Sequence, residues 1–347
     1  MANAVNGSTQ SSYSYTYLRD GNQASKSDHA GRVVTYAYDG SGRLISESDG
    51  AQATTYTYDG AGNRAAKTGA NGVEQYVYDA NNRLLSMRNG TATVTEESVF
   101  CYDANGTQLS ALRGSYSGGG GGGPTVSVDA GGGYELFRYN ARNQLVAFAD
   151  GATEAAYDYR PDGLRHSKTV DGVKTAHVLD GASVIADVAG GAEAYYARGI
   201  NILWDSDGAY YLFNAHGDVV AIAGAVVETA EYDAFGNVIS GGFSSPFMYC
   251  GEYLDLETDT YYLRARYYQP TTGCFLTEDP ICFGTNWYIY VNTIRLCILI
   301  LPGLPHIARK IVTDNSRYMF RRNGFMINDS ITTRITKLGG NRLNYSC

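Results

Sequence analysis

The sequence predicts an all-β chain of repeated antiparallel β-hairpins joined into one curved sheet. Three observations predict it: a short aromatic frame returns at a fixed interval, 30 Tyr and 42 Gly stand well above ordinary usage, and Pro is scarce at seven among 347 residues. Tyr suits strands and Gly suits turns. A recurrence of this size signals a repeat architecture.

The frame is clearest in Tyr36-Ala-Tyr38-Asp39-Gly40-Ser41-Gly42-Arg43-Leu44. It returns 20 residues later as Tyr56-Thr-Tyr58-Asp59, and 20 after that as Tyr76-Val-Tyr78-Asp79. Further copies begin at Phe100, Phe137 and Tyr157. Aromatics at i and i+2 share one face of a strand. The Asp that follows is expected to cap a turn, accepting bonds from backbone N–H groups two or three residues on. Three residues after it the six copies read Gly42, Gly62, Asn82, Gly106, Asn143 and Gly163. Those residue types tolerate positive φ, so the position is expected to be left-handed. An apolar residue such as Leu44, Leu84 or Leu145 then opens the returning strand. Each unit is strand, tight turn and strand, a hairpin with a bulge-type loop.

In order along the chain, residues 1–32 are polar, with Tyr13, Tyr15 and Tyr17 alternating as a degenerate first strand. Regular repeats occupy 33–112. A Gly-rich insertion at 113–133 follows, because Tyr102 to Tyr139 spans 37 residues rather than 20, and it includes six consecutive glycines ending at Gly123. Poly-Gly is costly to order, so a flexible loop is expected. Its match to GxGxxG lacks the strand before and helix after that a dinucleotide site needs. Repeats resume at 134–204, and from 205 to 291 the pattern changes to a Tyr- and Arg-rich stretch.

That stretch contains Gly251-Glu-Tyr-Leu-Asp255-Leu-Glu257-Thr258-Asp-Thr-Tyr261-Tyr262-Leu-Arg264-Ala-Arg266-Tyr267-Tyr268-Gln269-Pro270-Thr-Thr-Gly273-Cys-Phe-Leu-Thr-Glu-Asp279-Pro280-Ile281. With the Tyr-Asp frame before it, the chain resembles the RHS/YD-repeat proteins of polymorphic-toxin systems, and 205–291 resembles their RHS repeat-associated core domain. The resemblance covers about 260 residues, roughly 33 to 291. It implies YD-repeat hairpins spiralling into a hollow shell, here a partial one, with the core domain plugging one end. It further implies a C-terminal toxin cargo, released by self-cleavage just past the core, an immunity protein as partner, and a secreted or cell-surface location.

Two departures bear on activity. The resemblance attributes self-cleavage to a carboxylate pair at positions 269 and 279. Only Asp279 is present, because Gln269 stands at the other place. A shared-proton dyad needs two carboxylates, so Asp279 is the sole catalytic candidate and the chain is not expected to be an enzyme. Asp279-Pro280 also reads as a turn opener. After Val291 the expected second element of the family is missing. A back-translation of the residues from Asn292 to Gly303 gives His-Asn-Pro-Ile-Met-Tyr-Phe-Asp-Pro-Thr-Gly two bases further on, so 292–347 is read as an irregular, out-of-frame tail. The alternative is a small basic toxin, since 293–347 holds nine Lys/Arg against two Asp, whereas 1–292 holds 18 against 33 Asp/Glu.

Other chemistry is sparse. The net charge of −8 gives no support for nucleic-acid binding by the repeats. His29, His166, His177, His216 and His306 lack metal-ligand spacing, and the six Cys form no CxxC pair. No metal and no cofactor is expected, and His216 reads as a turn residue. No signal peptide and no apolar run of about 20 residues is visible. The tyrosine stripes admit a second use, as a platform for cell-surface glycans in an adhesion module.

Overall fold

The computed structural model describes residues 2–5, 8–90, 95–117, 125–127, 133–282 and 284–290, and four short strands further on. A 24-stranded antiparallel sheet runs from Ala2 to Gly241. Its strands pair with their neighbours in chain order, as Val33–Tyr38 with Leu44–Ser48, and Ala53–Tyr58 with Arg64–Gly69. The sheet is long, curved and not closed into a barrel, as the repeat frame predicts.

The repeat explains itself at the turn. The first aromatic is buried in five of the six pairs: Tyr56, Tyr76, Phe100, Phe137 and Tyr157 are at most 6% exposed, while Tyr36 is half-buried. The second is half-buried on the same face. The ladder then shifts by one residue at that second aromatic, between Ala37 and Tyr38, between Thr57 and Tyr58, and between Val77 and Tyr78. Tyr38 faces Leu44 while Ala37 faces Ser46, so Ile45 is the extra residue of a bulge. The bulge turns Leu44, Leu84 and Leu145 inward, where they are at most 3% exposed.

The left-handed corner lies where the frame predicts it, with φ of 75° at Gly42, 89° at Gly62, 66° at Asn82 and 56° at Asn143. The cap reaches further than expected. Asp39 Oδ1 accepts the N–H groups of Ser41 and Arg43, two and four residues on. Asp59, Asp79 and Asp103 do the same, and Asn140 replaces them without loss. The bulge lengthens the loop by one residue, which moves the second donor from the third to the fourth place. Arg160 brings no carboxylate of its own; Asp162 Oδ1 takes the Leu164 N–H instead, and the backbone bond from Arg160 N–H to the Leu164 carbonyl still closes the loop at 2.8 Å.

The insertion leaves the ladder intact. Ser110, Ala111 and Leu112 pair with Leu136, Glu135 and Tyr134, and the end of the strand Gln108–Ser117 forms a side hairpin with Thr125–Ser127. The six-glycine run, for which a flexible loop is expected, lies outside the described residues. So does most of the tail from 292, for which irregular structure is expected. There, Met319–Arg322 pairs with Phe325–Asn328 and Arg334–Leu338 with Arg342–Ser346.

Residues 243–290 form a compact piece inside the curl. Its four short strands, Tyr253–Asp255, Thr260–Tyr262, Tyr267–Gln269 and Cys274–Phe275, pair in sequence. Every residue of these strands is buried. The main hydrophobic cluster mixes both parts, with Phe137, Leu145, Tyr157, Tyr196 and Val219 from the sheet against Phe247, Tyr253, Tyr262, Tyr267 and Leu276. The middle of the ribbon touches this piece, and its two ends touch each other. Gln108 N–H donates to the Leu276 carbonyl, Tyr288 donates to the Gly106 carbonyl, and the Tyr15 hydroxyl accepts from Ala215 N–H.

Candidate functional site at the ribbon and core seam

The most concentrated chemistry lies where the repeat strand Arg165–Val170 meets the inner piece. Arg165 is 1% exposed and Asp255 is fully enclosed. The guanidinium grips the carboxylate with two nitrogens, Nη2 lying 2.9 Å from Oδ1. Three residues along, Lys168 Nζ reaches Asp255 at 3.0 Å and Glu257 at 2.9 Å. Tyrosines enclose the cations: the Tyr262 ring centre lies 4.3 Å from the Arg165 guanidinium carbon, with Tyr253, Tyr157 and Tyr267 within 5.9 Å. Burial opposes ionisation of Asp255, but Arg165 and Lys168 prevail and hold its carboxyl below the usual range. A second knot lies beside it. Asp187 accepts from the Tyr196 and Tyr253 hydroxyls at 3.2 and 3.1 Å and contacts His177 Nδ1 at 2.6 Å. Removing one partner of such an enclosed pair leaves an uncompensated charge.

The hairpin corners also serve the seam. Arg64, stacked between Tyr76 and Phe235, donates to the Thr271 carbonyl at 2.7 Å. Asn237 donates to the Pro270 carbonyl. Within the inner piece, Arg264 pairs with Glu252 at 2.5 Å.

The two positions of the supposed carboxylate pair serve separate turns. Gln269 is buried, and its carbonyl accepts from Gly273 N–H at 2.9 Å and from the Thr272 hydroxyl. Asp279 is half-buried; its Oδ1 accepts Ile281 N–H at 3.0 Å and its carbonyl accepts Cys282 N–H. No hydrogen bond joins Gln269 to Asp279 among the described residues. His216 lies in the turn from Asn214 to Asp218 and contacts Asp218 at 2.8 Å. Cys250 N–H also reaches Asp218, and the ligand-type atoms of these three residues lie within 4.8 Å of one another. Asp218 is enclosed and engaged by Asn214, His216 and Cys250, so the grouping serves to tie the turn to the inner piece.

Sequence reasoning did not find Arg165, Lys168, Asp255 or Glu257. The signal was the Asp255-x-Glu257-Thr258 run inside the stretch that carries the resemblance, whose carboxylates face two repeat cations.

The RHS Repeat family model matches residues 17–54 and 58–94. The tRNA3(Ser)-specific nuclease WapA of Bacillus spizizenii is 29% identical over 283 residues, which is 75% of this chain and 10% of that protein. The chain is an RHS/YD-repeat protein. The tRNA(Glu)-specific nuclease WapA of Bacillus subtilis subsp. natto is 30% identical to the RHS chain over 219 residues, 57% of the chain and 8% of that protein. The chain thus spans about a tenth of the length of these relatives. Among solved structures, the crystal structure of TcdB2-TccC3-Cdc42 covers 86% of the RHS chain with a TM-score of 0.40 and 17% identity, and the chain covers 20% of it. No helix among the described residues of the RHS chain is long and apolar enough to cross a membrane.

Proposed function

We propose that this RHS chain is a scaffold in a toxin-delivery system, a portion of a shell that carries a C-terminal toxin cargo and has no catalytic activity of its own. The observation that carries the reading is the Arg165–Asp255 and Lys168–Glu257 cluster, which fastens the inner piece within the curl as a fixed end wall. A wall held by buried charges suits a container better than a hinge or a substrate cleft. The relatives are named as tRNA nucleases and extend far beyond the matched stretch, which supports a carrier role; an immunity protein as a neighbour and a secreted or cell-surface site of action belong to the same proposal. The absence of self-cleavage follows from Gln269, whose amide cannot share a proton with Asp279.

Three measurements test this. The purified chain, incubated for days at pH 5 to 8, keeps a single intact mass; fragments cut just past residue 290 would overturn the inactive reading. Sequencing the gene and its flanks shows upstream repeats joined in frame, a shifted-frame continuation after Asn292 and an adjacent immunity gene; a stop just upstream together with no such neighbour would overturn the carrier reading. Expression of 293–347 alone leaves growth unaffected, whereas growth arrest would favour the small basic toxin.

A second reading, adhesion to surface glycans, draws on one feature. On the outer face Trp204 is paired in register with both Ala197 and Tyr210, and Tyr195, Trp204 and Tyr210 are 45–54% exposed. A glycan array with the full chain and Trp204→Ala decides it: specific retention lost in the variant supports adhesion, and no retention removes it.

A further inference from the structure

The two ends of the curled ribbon face each other across a cavity of about 600 Å³. The early hairpins form one wall and the turn after Tyr232 forms the other. Ion pairs cross this gap. Arg32 reaches Glu231 at 2.7 Å while also holding Asp49 at 3.1 Å. Lys67 lies 3.2 Å from Glu74 on its own side and 4.0 Å from Asp233 on the other.

Glu47 lies in the same wall, on the strand Leu44–Ser48. The described residues give its carboxyl one hydrogen bond, from the Tyr56 hydroxyl at 2.9 Å. Neither Lys67 nor Arg32 pairs with it, since both are engaged by other carboxylates. The groups facing it come from every neighbouring element. Lys26 and Tyr36 lie on the two strands before it, Tyr56, Lys67 and Glu74 on the three after it, and Asp233 across the gap. Asp28 and Asp218 complete the acidic side of the lining. His216 lies behind Tyr36, paired with Asp218.

With Glu47 protonated, Lys67 balances Glu74 and Asp233 across the gap. With Glu47 ionised, a third carboxylate joins the same lysine, and Glu47 and Asp233 repel each other from opposite walls. We propose that this seam is a pH-sensitive latch, shut while Glu47 carries its proton and loosened when the Glu47 carboxylate ionises against Asp233.

The electrostatics agree with that geometry. Burial, then the charge of Asp233, push the Glu47 carboxyl up to about 7, against the opposing Tyr56 bond and Lys26 and Lys67. A group raised in the folded state contributes stability that is complete below its ordinary value and is lost as pH rises through the folded one. The latch is therefore tight in mild acid and loosens above neutrality.

The test is hydrogen exchange on the full chain at pH 6 and pH 8, with protection corrected for the intrinsic pH dependence of exchange. Protection of residues 44–48 and 233–237 falls about tenfold between the two values, while residues 145–149 hold theirs. In Glu47→Gln the seam stays protected at both. This variant also separates Glu47 from His216, a residue type that changes charge in the same range. If Glu47→Gln does not fold, Asp233→Asn decides, since Asn140 and Asn214 show that asparagine builds this turn; removing the opposing charge shrinks the fall. Protection that ignores pH in the native chain, or a full tenfold fall that persists in either variant, overturns the proposal.

Discussion

The hydroxyl of Tyr58 donates to the carbonyl oxygen of Leu44 at 2.7 Å. Leu44 opens the returning strand of the preceding hairpin, so this bond ties one unit to the next. Tyr38 to Gln23, Tyr78 to Arg64, Tyr159 to Leu145 and Tyr232 to Val219 repeat it. The second aromatic of the frame is thus a staple as well as a core residue. Tyr58→Phe keeps the ring and loses the bond, and lowers unfolding stability by about 1 kcal/mol in urea titration. An unchanged midpoint would show the staple to be idle.

The Asp cap separates charge from geometry. Asp59 Oδ1 takes the N–H groups of Ala61 and Asn63, and Oδ2 takes the Asn63 amide. Asp59→Ala leaves these donors to water or to nothing and costs roughly 1–2 kcal/mol. Asp59→Asn keeps the two backbone bonds, as Asn140 does, but sets an amide donor against the Asn63 amide, so it falls between the native chain and Asp59→Ala. Urea midpoints of the two variants, compared side by side, check this.

Two glycines with the same backbone angle should behave differently. Gly62 (φ 89°) has open space where a Cβ would stand, whereas a Cβ at Gly236 (φ 91°) would lie 2.6 Å from the Tyr249 ring. Gly62→Ala costs only backbone strain, about 1 kcal/mol. Gly236→Ala adds a steric penalty of roughly 1–3 kcal/mol and displaces Tyr249. Thermal unfolding gives the order, and near-ultraviolet dichroism reports the displaced ring.

The buried ion pair is the sharpest target. Arg165→Met leaves Asp255 enclosed with only Lys168 as counter-charge and costs roughly 3–5 kcal/mol. The double change Arg165→Met with Asp255→Leu removes both charges and costs less than Arg165→Met alone. Denaturation of both single variants and the double closes the cycle; strictly additive losses would mean that the two residues act independently.

The local rules of the fold were legible because they are local. Period-2 aromatics, an Asp and a Gly or Asn three places later lie within nine residues, and they located the hairpin, its buried face and its left-handed corner. The fourth-residue cap was missed because the bulge at Ile45 changes the count and leaves no mark in composition. The hydroxyl staple was missed because its acceptor is a carbonyl, which every residue has. Arg165 with Asp255, and Glu47 with Asp233, are joined only by the curl of the whole ribbon, whose radius no single repeat encodes. The likeness to known sequences marked residues 205–291 and placed Asp279 among them, while the charges that fix the inner piece belong to Asp255 and Glu257.

Beneath the Gly-rich insertion, Arg113 N–H already takes the carbonyl of Gly133 at 2.8 Å and Leu112 already faces Tyr134. The neighbouring hairpins are therefore sewn together below whatever lies between those two points. Sequence can be added, shortened or exchanged there without altering the spacing of any later unit, which makes this spot a natural port for grafting a foreign peptide.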